Sequence, residues 1–346
     1  MVGRPKGDWR LMTIGSGRDA PTLDFQTFFT ENSVVVGTRD TGKSHFVCVL
    51  AEEFVACVRR LPPDVQPPQL VIFAPSGHLY GLRAGRLGRG RGGCGVIIVG
   101  GSHGDFPLTP EMGVRLAELS VGMAPCPVLV EMDGLSATEQ GVLLTDFATG
   151  LYDLQGEHGL LHVIIDEAEH LFSARAHRGT EQRSLDALDA IVRRCRTRGI
   201  GVTMVTSRLS SLHGNMTSQA DTFFFFRATV PHDIAVIAEL AAPGKEESKR
   251  EEIGQTIGTL KRGEALMVRY GEPFGRARLR VRRRKTFDSN ATPSVREKKP
   301  EPSELKRLSR KTLRTAERVL RPKASESLGS CEPGQPGAHS QRPRDR

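Results

Sequence analysis

The stretch Gly37-Thr38-Arg39-Asp40-Thr41-Gly42-Lys43-Ser44 decides the fold of this chain of 346 residues. It matches the Walker A pattern G-x-x-x-x-G-K-[ST] without a mismatch, follows the apolar run Ser33–Val36 and precedes a helical pattern that begins near Lys43. A strand, a glycine-rich turn and a helix in this order direct successive backbone amides towards phosphate oxygens. The sequence therefore predicts a phosphate-binding loop; the alternative is a glycine-rich turn that matches by chance.

The residue types in the loop are suited to bind a nucleoside triphosphate together with a magnesium ion. Glycine permits the backbone torsions that such a loop needs, and a helix N-terminus adds positive potential. The Lys43 ammonium can reach the β- and γ-phosphates, and the Ser44 hydroxyl can ligate Mg²⁺. ATP and Mg²⁺ are the predicted cofactors, with residues 37–44 as the binding loop.

Two carboxylates follow a second apolar run, in the order Leu161-His162-Val163-Ile164-Ile165-Asp166-Glu167. In this setting Asp166 is predicted to hold Mg²⁺, directly or through water, and Glu167 to polarise an attacking water as a catalytic residue with Lys43. Paired acids at a strand end also occur in solvated turns. Together with the phosphate loop, however, they favour hydrolysis over nucleotide binding alone.

Apolar strand patterns alternate with helical patterns along the body of the chain. This alternation predicts an α/β fold with a mostly parallel central sheet flanked by helices. Predicted strands are Ser33–Val36, Leu70–Ala74, Val96–Gly100, Val128–Met132, Leu161–Asp166, Gly201–Thr206, Asp221–Arg227, Glu264–Val268 and Arg278–Arg284. Predicted helices are Lys43–Arg60, Pro110–Val121, Ala137–Gln155, Glu181–Arg196 and Pro231–Leu240.

The net charge of +9 is distributed unevenly. Residues 276–346 hold 21 Lys/Arg and 8 Asp/Glu, whereas residues 1–275 carry a net charge of −4. A basic region of this kind indicates a polyanionic partner. We expect an N-terminal arm (1–18), an ATPase domain (19–293) and a basic, low-complexity, disordered tail (294–346) with a possible helix over 303–320.

Six cysteines show neither C-x-x-C pairs nor metal-ligand spacing with histidine. The apolar runs are also far shorter than the roughly 20 residues of a membrane span. We therefore expect buried free thiols, a reducing cytoplasmic location and no stable membrane insertion.

The two motifs resemble those of the HerA/FtsK superfamily of P-loop ATPases, and in particular its HerA-like branch. The resemblance extends roughly from Asp19 to Pro293. Softer matches support it by their order: Val96-Ile-Ile-Val-Gly-Gly101, Arg194-Cys-Arg-Thr-Arg-Gly199, Ser218-Gln-Ala-Asp221 and Thr286-Phe-Asp-Ser289. The resemblance implies a RecA-like sheet with an extra strand between the two nucleotide motifs.

The same resemblance implies an assembly and a substrate. Members of the superfamily typically form hexameric rings, hydrolyse ATP at subunit interfaces and move along double-stranded DNA, often with a nuclease partner. An arginine finger just before the strand that follows the Asp-Glu strand maps to Arg194, Arg196 or Arg198. Arginines at a helix end that face solvent are the alternative for each of the three.

Two segments depart from the superfamily pattern. A glutamine that senses the γ-phosphate usually stands in a Thr-Gln-Arg-Pro context, but here the segment reads Thr206-Ser207-Arg208-Leu209, which leaves Ser207 as the shorter candidate. Relatives often have Asp-Pro-x-Gly-Glu/Asp where this chain has Ala74-Pro75-Ser76-Gly77-His78. Both departures are consistent with a slow ATPase.

Three basic elements are candidates for contact with a polyanion. The first is the loop Gly81–Gly95, either a phosphate-contacting loop or a solvated connector. In the second, Arg276, Arg278, Arg280 and Arg282 alternate along a strand, forming either a DNA-facing or inter-subunit surface or a charged edge that prevents aggregation. The third, the amphipathic basic pattern 303–320, fits DNA, a protein or an anionic membrane, or an unfolded tail.

These observations lead to two main hypotheses of function. The first is a Mg²⁺-dependent ATPase that translocates duplex DNA as a ring. The second is an ATP-gated adaptor in DNA packaging, conjugation or phage defence with little turnover of its own. A membrane-associated pump that uses the basic tail is a third, weaker alternative.

Overall fold

The polypeptide follows the predicted alternation of strands and helices. A computed structural model describes residues 8–17, 20–123, 125–154, 159–170, 186, 189, 191–192, 199–244, 246–271, 275–290 and 301–321. The strands are β1 Leu11–Thr13, β2 Thr22–Asp24, β3 Ser33–Val36, β4 Gln69–Ala74, β5 Ile97–Gly100, β6 Val128–Glu131, β7 Leu161–Ile165, β8 Ile200–Thr206, β9 Thr222–Phe226, β10 Glu264–Arg269 and β11 Gly275–Arg280. The α-helices are α1 Phe25–Thr30, α2 Lys43–Val58, α3 Gly113–Gly122, α4 Ala137–Asp153, α5 Gly214–Ser218, α6 Pro231–Ala241, α7 Glu247–Thr259 and α8 Arg310–Leu320.

A nine-stranded sheet in the order β11-β10-β9-β3-β8-β7-β4-β6-β5 forms the centre of the described chain. Neighbouring strands from β9 to β5 are parallel, whereas β10 is antiparallel to both β9 and β11. Every residue of β3, β4, β7 and β8 is buried, as expected for strands that are covered on both faces. The predicted mostly parallel α/β sheet is thus confirmed.

Strand β8 lies between β3 and β7, so that it separates the strands that precede the two nucleotide motifs. Val36 lies opposite Thr206 in β8, and Met204 lies opposite Ile165 in β7. Because all three strands are parallel, the phosphate loop and the Asp166-Glu167 pair emerge at the same edge of the sheet. This is the extra strand that the resemblance implies.

Helices cover the sheet on both faces, and alternate residues of β3 contribute to the two sides. Val35 packs with α1 and α2 on one face, whereas Val34 and Val36 pack with α3, α4, α6 and α7 on the other. This division follows from the two-residue period of a strand. The sheet therefore has the flanking helical layers that the alternation of patterns predicts.

Some elements differ from the sequence-based expectations. Helix α7, the small antiparallel pair β1–β2 and the short helix α1 were not predicted. Strand β11 spans Gly275–Arg280 instead of Arg278–Arg284, since the chain beyond Val281 turns onto helix α2. Of the predicted helix Glu181–Arg196, most residues lie outside the described part of the chain.

The prediction of a disordered tail over residues 294–346 is wrong for residues 301–321. They pack against the domain: Ala316 and Leu320 of α8 are buried in the core beside α3, and Arg115 donates a hydrogen bond of 3.2 Å to the Leu320 carbonyl. The charge-rich composition concealed this packing, because only a few apolar side chains anchor the segment. The helix begins at Arg310, not at 303, and residues 291–300 and 322–346 lie outside the described ranges.

No helix in the described residues is long and apolar enough to cross a bilayer. Cys48, Cys57 and Cys94 are buried free thiols, as expected, and Cys126 is a half-buried free thiol. Burial raises the pKa of the Cys48 thiol to about 12, which makes it unreactive at neutral pH.

Candidate active site

The phosphate loop is held from three sides by the backbone of the sheet. The Gly37 amide donates to the Thr206 carbonyl (3.3 Å), and the Thr38 amide donates to the Arg227 carbonyl (2.9 Å). The Gly263 amide, just before β10, donates to the Thr41 carbonyl (2.8 Å). The loop is therefore connected to the ends of β8 and β9 and to the start of β10, which preorganises it for a ligand.

Two glycines in the loop are required by its geometry. At Gly37, a Cβ atom would lie 2.6 Å from the Cβ of Phe226, which is closer than side chains approach each other. Gly42 has a φ of 113°, a backbone conformation that other residues rarely adopt. Steric contact at Gly37 and backbone conformation at Gly42 thus explain why glycine stands at these two positions of the Walker A motif.

Lys43 lies between the loop and the acidic residues. Its ammonium group donates to the carbonyls of Gly37 (2.6 Å) and Thr38 (3.0 Å). Burial lowers the Lys43 pKa, while the negative charges of Asp166, Glu169 and Glu167 oppose this effect. The charge of Lys43 thus interacts with that of Asp166, the predicted metal ligand.

Asp166 is almost fully buried at the end of β7, with 3% of its surface exposed. Its Oδ1 accepts a hydrogen bond from the Glu167 amide (3.0 Å), and His78 Nε2 lies 3.7 Å from its Oδ2. Among the described residues, Oδ2 has no hydrogen-bond partner. Burial raises the Asp166 pKa to about 6, against the effect of the neighbouring His78.

A buried carboxylate oxygen without a hydrogen-bond partner fits a role in holding a cation. Mg²⁺ prefers oxygen donors and is usually bound by one or two protein groups together with substrate phosphates. Asp166 and the Ser44 hydroxyl are such donors. The described residues contain no group of three His, Cys, Asp or Glu side chains that could hold a metal ion.

Glu167 has a left-handed backbone conformation with a φ of 51°. Its Oε2 accepts a hydrogen bond of 2.5 Å from the Ser76 hydroxyl, in the loop after β4. A non-glycine residue in this conformation stores backbone strain of about 1–3 kcal/mol, and such strain is concentrated at functional sites. The predicted catalytic glutamate is thus held by a partner from the neighbouring strand.

Ser207 and Glu169 form a pair at the end of β8 that the sequence analysis missed. The Ser207 amide donates to Glu169 Oε1 (2.9 Å), and its hydroxyl donates to the same oxygen. Glu169 Oε2 is buried without a hydrogen-bond partner in the described residues. The third acid in Asp166-Glu167-Ala168-Glu169 was the available signal, and its charge acts on Lys43.

The segment Ala74–His78 brings one of its two departures to the site. His78, where relatives often carry a carboxylate, approaches Asp166, and Ser76, at the variable position of the pattern, contacts Glu167. The Ser289 hydroxyl donates to the His78 carbonyl (2.6 Å), which fixes this loop against the end of the domain. An imidazole therefore faces Asp166 where relatives often carry a carboxylate.

The remaining predicted site residues are placed as follows. Arg39 and Asp40 are exposed at the tip of the phosphate loop. Thr41 is buried, and its hydroxyl donates to the Thr38 carbonyl (2.7 Å). The three candidates for an arginine finger, Arg194, Arg196 and Arg198, lie outside the described residues.

The fold shows which arginines of the predicted basic elements are exposed and which are paired with carboxylates. In the loop Gly81–Gly95, Arg83 is buried in a bidentate ion pair with Asp105 (2.7 and 2.8 Å) and is unavailable to phosphate. The row on β11 lies on the edge of the sheet, with Arg276, Arg278 and Arg280 exposed. Arg282 does not extend this row, because it is paired with Glu52 and Glu53 of α2.

The sheet order and the phosphate loop together define a RecA-like P-loop NTPase fold. No protein-family model and no curated protein matches the chain.

Solved structures resemble it at low identity. The genome packaging NTPase B204 from Sulfolobus turreted icosahedral virus 2, in complex with sulfate, is 16% identical over 73% of this chain and 96% of its own, with a TM-score of 0.45. The cytoplasmic domain of the type VII secretion ATPase EccC from Thermomonospora curvata is 14% identical over 80% of this chain and 26% of its own, with a TM-score of 0.47. The pCW3 conjugation coupling protein TcpA, in its monomer form with ATPγS, is 12% identical over 82% of this chain and 68% of its own, with a TM-score of 0.43.

Proposed function

We propose that this protein binds ATP and hydrolyses it in a Mg²⁺-dependent reaction, as an ATPase of the HerA-like type. One observation carries the proposal: strand order brings Lys43 of the phosphate loop to the acids at the end of β7, with Asp166, Glu169 and Glu167 all acting on its charge. Loop and acids at one edge of a parallel sheet are the arrangement that phosphoryl transfer requires.

Each residue has a distinct role in this proposal. The loop amides of residues 37–44 and the Lys43 ammonium bind the phosphates and neutralise charge that develops during transfer. Ser44 and Asp166 would hold Mg²⁺, which when bound would draw negative charge away from the phosphates. Glu167 orients and polarises the attacking water.

The assembly and the substrate are proposals that rest on the resemblance in the sequence. A homo-oligomeric, hexameric ring would place Arg194, Arg196 or Arg198 of one subunit at the nucleotide of its neighbour. Such an arginine stabilises the transferring phosphoryl group and couples hydrolysis to assembly. Double-stranded DNA is the proposed substrate on which the ring moves, and a nuclease is a candidate partner.

A second candidate function is supported by the contacts of Glu167 and Ser207. The Ser76 hydroxyl occupies Oε2 of Glu167, and Glu169 engages both donors of Ser207, the candidate γ-phosphate sensor. Both contacts favour slow turnover. An ATP-gated adaptor in DNA packaging, conjugation or phage defence, with little hydrolysis of its own, is therefore the alternative.

The test compares Lys43→Ala with Arg59→Ala, which removes one positive charge from an exposed position just beyond the other end of α2. ATP binding and phosphate release are measured with and without Mg²⁺ and with and without duplex DNA. We expect Lys43→Ala to abolish hydrolysis and Arg59→Ala to retain it. Hydrolysis that persists in Lys43→Ala would overturn the site assignment. Tight ATP binding by the wild type without turnover stimulated by DNA would favour the adaptor.

A further inference from the structure

The exposed side of α8 carries a continuous stripe of positive charge. Its members are Arg307, Arg310, Lys311, Arg314, Arg318 and Arg321, and all six are exposed. At 100° per residue, the four stripe residues within α8 fall within an arc of about 100°, and continuing the same period places 307 and 321 in that arc. The buried Ala316 and Leu320 lie on the opposite side of the helix, against α3.

The packing of α8 determines which kind of polyanion this stripe can meet. A basic amphipathic helix binds a membrane by inserting its apolar face among the lipids. Here the apolar face is already used, since Ala316 is fully buried and Leu320 is 7% exposed. Every residue of α8 that is exposed is charged, which favours a phosphate backbone over a bilayer.

Three arginines of the neighbouring loop extend the stripe. Arg86, Arg89 and Arg91 are exposed in the part of Gly81–Gly95 that contacts the segment before α8. The Glu304 amide donates to the Gly88 carbonyl (3.0 Å), and the Lys306 amide donates to the Arg83 carbonyl (2.7 Å). These bonds fix the loop against the segment that leads into α8, and we call the loop and the stripe together the C-terminal basic surface.

Fewer carboxylates neutralise the arginines of the stripe on α8 than those of the basic row on β11. On β11, Arg278 pairs with Glu264 (3.2 Å), and Arg276 acts electrostatically on Glu252. In the stripe, Arg321 pairs with Glu317 (2.6 Å), whereas no carboxylate in the described chain lies within ion-pair distance of Arg310, Lys311, Arg314 or Arg318. Residues 81–95 and 301–321 contain no Phe, Tyr or Trp for base stacking, and Phe106, which lines a groove beside Arg310 and Arg314, is half-buried against the core.

We propose that the C-terminal basic surface binds the phosphate backbone of duplex DNA without sequence preference. The identity of the partner as DNA rests on the proposed function. The chemistry of the surface supplies the rest, because dense guanidinium groups without stacking side chains recognise phosphates and not bases. In this arrangement the duplex lies along α8 and the Arg86–Arg91 loop, and not along the edge strand β11.

The experiment compares three variants of the full chain, each of which removes three charges. The first is Arg310→Gln, Arg314→Gln and Arg318→Gln in α8. The second is Arg86→Ser, Arg89→Ser and Arg91→Ser in the loop, which leaves the helix untouched. The matched control is Arg276→Gln, Arg278→Gln and Arg280→Gln in β11. Binding to fluorescent duplexes of two unrelated sequences is measured by anisotropy at several salt concentrations, after thermal unfolding has verified that each variant is folded.

We expect the α8 and loop variants each to bind DNA about tenfold or more weaker than the wild type. The slope of log affinity against log salt should fall by about 3 in each, since each lost phosphate contact lowers it by about 1. The β11 control should bind as the wild type does. Equal binding by the α8 variant and the wild type would overturn the proposal, as would a loss confined to the β11 control.

Two further measurements distinguish DNA binding by this surface from membrane binding and from ATP hydrolysis. Sedimentation with phosphatidylserine vesicles tests the membrane alternative: vesicle binding lost in the α8 variant, with unchanged DNA binding, would overturn the proposal. Lys43→Ala tests the link to the ATPase, and it should bind DNA without hydrolysing ATP. If the wild type binds DNA but does not hydrolyse ATP, only the proposed function is contradicted. If the α8 variant binds DNA as the wild type does, only the proposed DNA-binding role of the C-terminal basic surface is contradicted.

Discussion

The Ser76 hydroxyl donates a hydrogen bond of 2.5 Å to Oε2 of Glu167. The bond joins the loop after β4 to the end of β7, two strands that are paired throughout their length. A carboxylate that accepts such a bond is less free to turn than one that faces water. The proposed catalytic glutamate is thus restrained by a residue that stands outside both nucleotide motifs.

Replacement of Ser76 tests whether this restraint slows the reaction. We expect Ser76→Ala to raise kcat several-fold, up to about tenfold, because a hydrogen bond to a charged group contributes about 1.5 kcal/mol. Steady-state phosphate release at saturating ATP and Mg²⁺ measures the effect. Ser102→Ala, at another exposed serine, is the control. A lower kcat in Ser76→Ala would show instead that the bond holds Glu167 in its productive position.

His162 makes the stability of the fold depend on pH. It is fully buried in β7, stacks on Phe28 (4.1 Å between ring centroids) and contacts the Thr203 hydroxyl through Nε2 (2.7 Å). Burial lowers its pKa to about 3, whereas in the unfolded chain it titrates near 6.5. Between these values the unfolded state binds one more proton, so this contribution to stability is present above pH 6.5 and is lost as the pH falls.

Urea unfolding at pH 7 and pH 5 measures this contribution. Between pH 7 and pH 5, the free energy of unfolding should fall by about 2 kcal/mol more in the wild type than in His162→Gln, because only the wild type has this imidazole. The glutamine variant is the reference, because it shares every other titrating group. An equal pH dependence in the two proteins would contradict a neutral buried His162.

Arg83 attaches the C-terminal segment to the body. Its guanidinium pairs with Asp105 and also donates to the Lys306 carbonyl from Nε (3.1 Å) and Nη2 (2.7 Å). Loss of one partner of a buried pair leaves the other charge uncompensated, so we expect Arg83→Gln to destabilise the protein by about 3–5 kcal/mol. Chemical unfolding measures this loss. Arg86→Gln, an exposed change in the same loop, should shift stability by less than about 0.5 kcal/mol.

The parts of the site that could be predicted from the sequence are those that lie in one continuous stretch. Residues 37–44 and the pair Asp166-Glu167 each follow an apolar strand, and the local pattern was sufficient to predict that position in the fold. The order of β3, β8 and β7 came from the superfamily resemblance. Composition and periodicity do not determine which strands become neighbours.

The contacts that could not be predicted depend on this neighbour order or on sparse packing. Ser76 and Glu167 are 91 positions apart and meet only because β4 pairs with β7. Helix α7 buries only Ile253 and Ile257, so its pattern is weak. In residues 301–321 a few apolar contacts outweigh a composition that is typical of disorder.

The central claim is that Glu167 activates water at a nucleotide held by the phosphate loop. The most direct test is the rate of ATP hydrolysis by Glu167→Gln at saturating ATP and Mg²⁺, together with its ATP affinity. Glutamine keeps the shape of the side chain but cannot act as a base. We predict that ATP affinity stays within a few-fold of the wild type while hydrolysis falls by about 100-fold or more. Hydrolysis at the wild-type rate would contradict the claim.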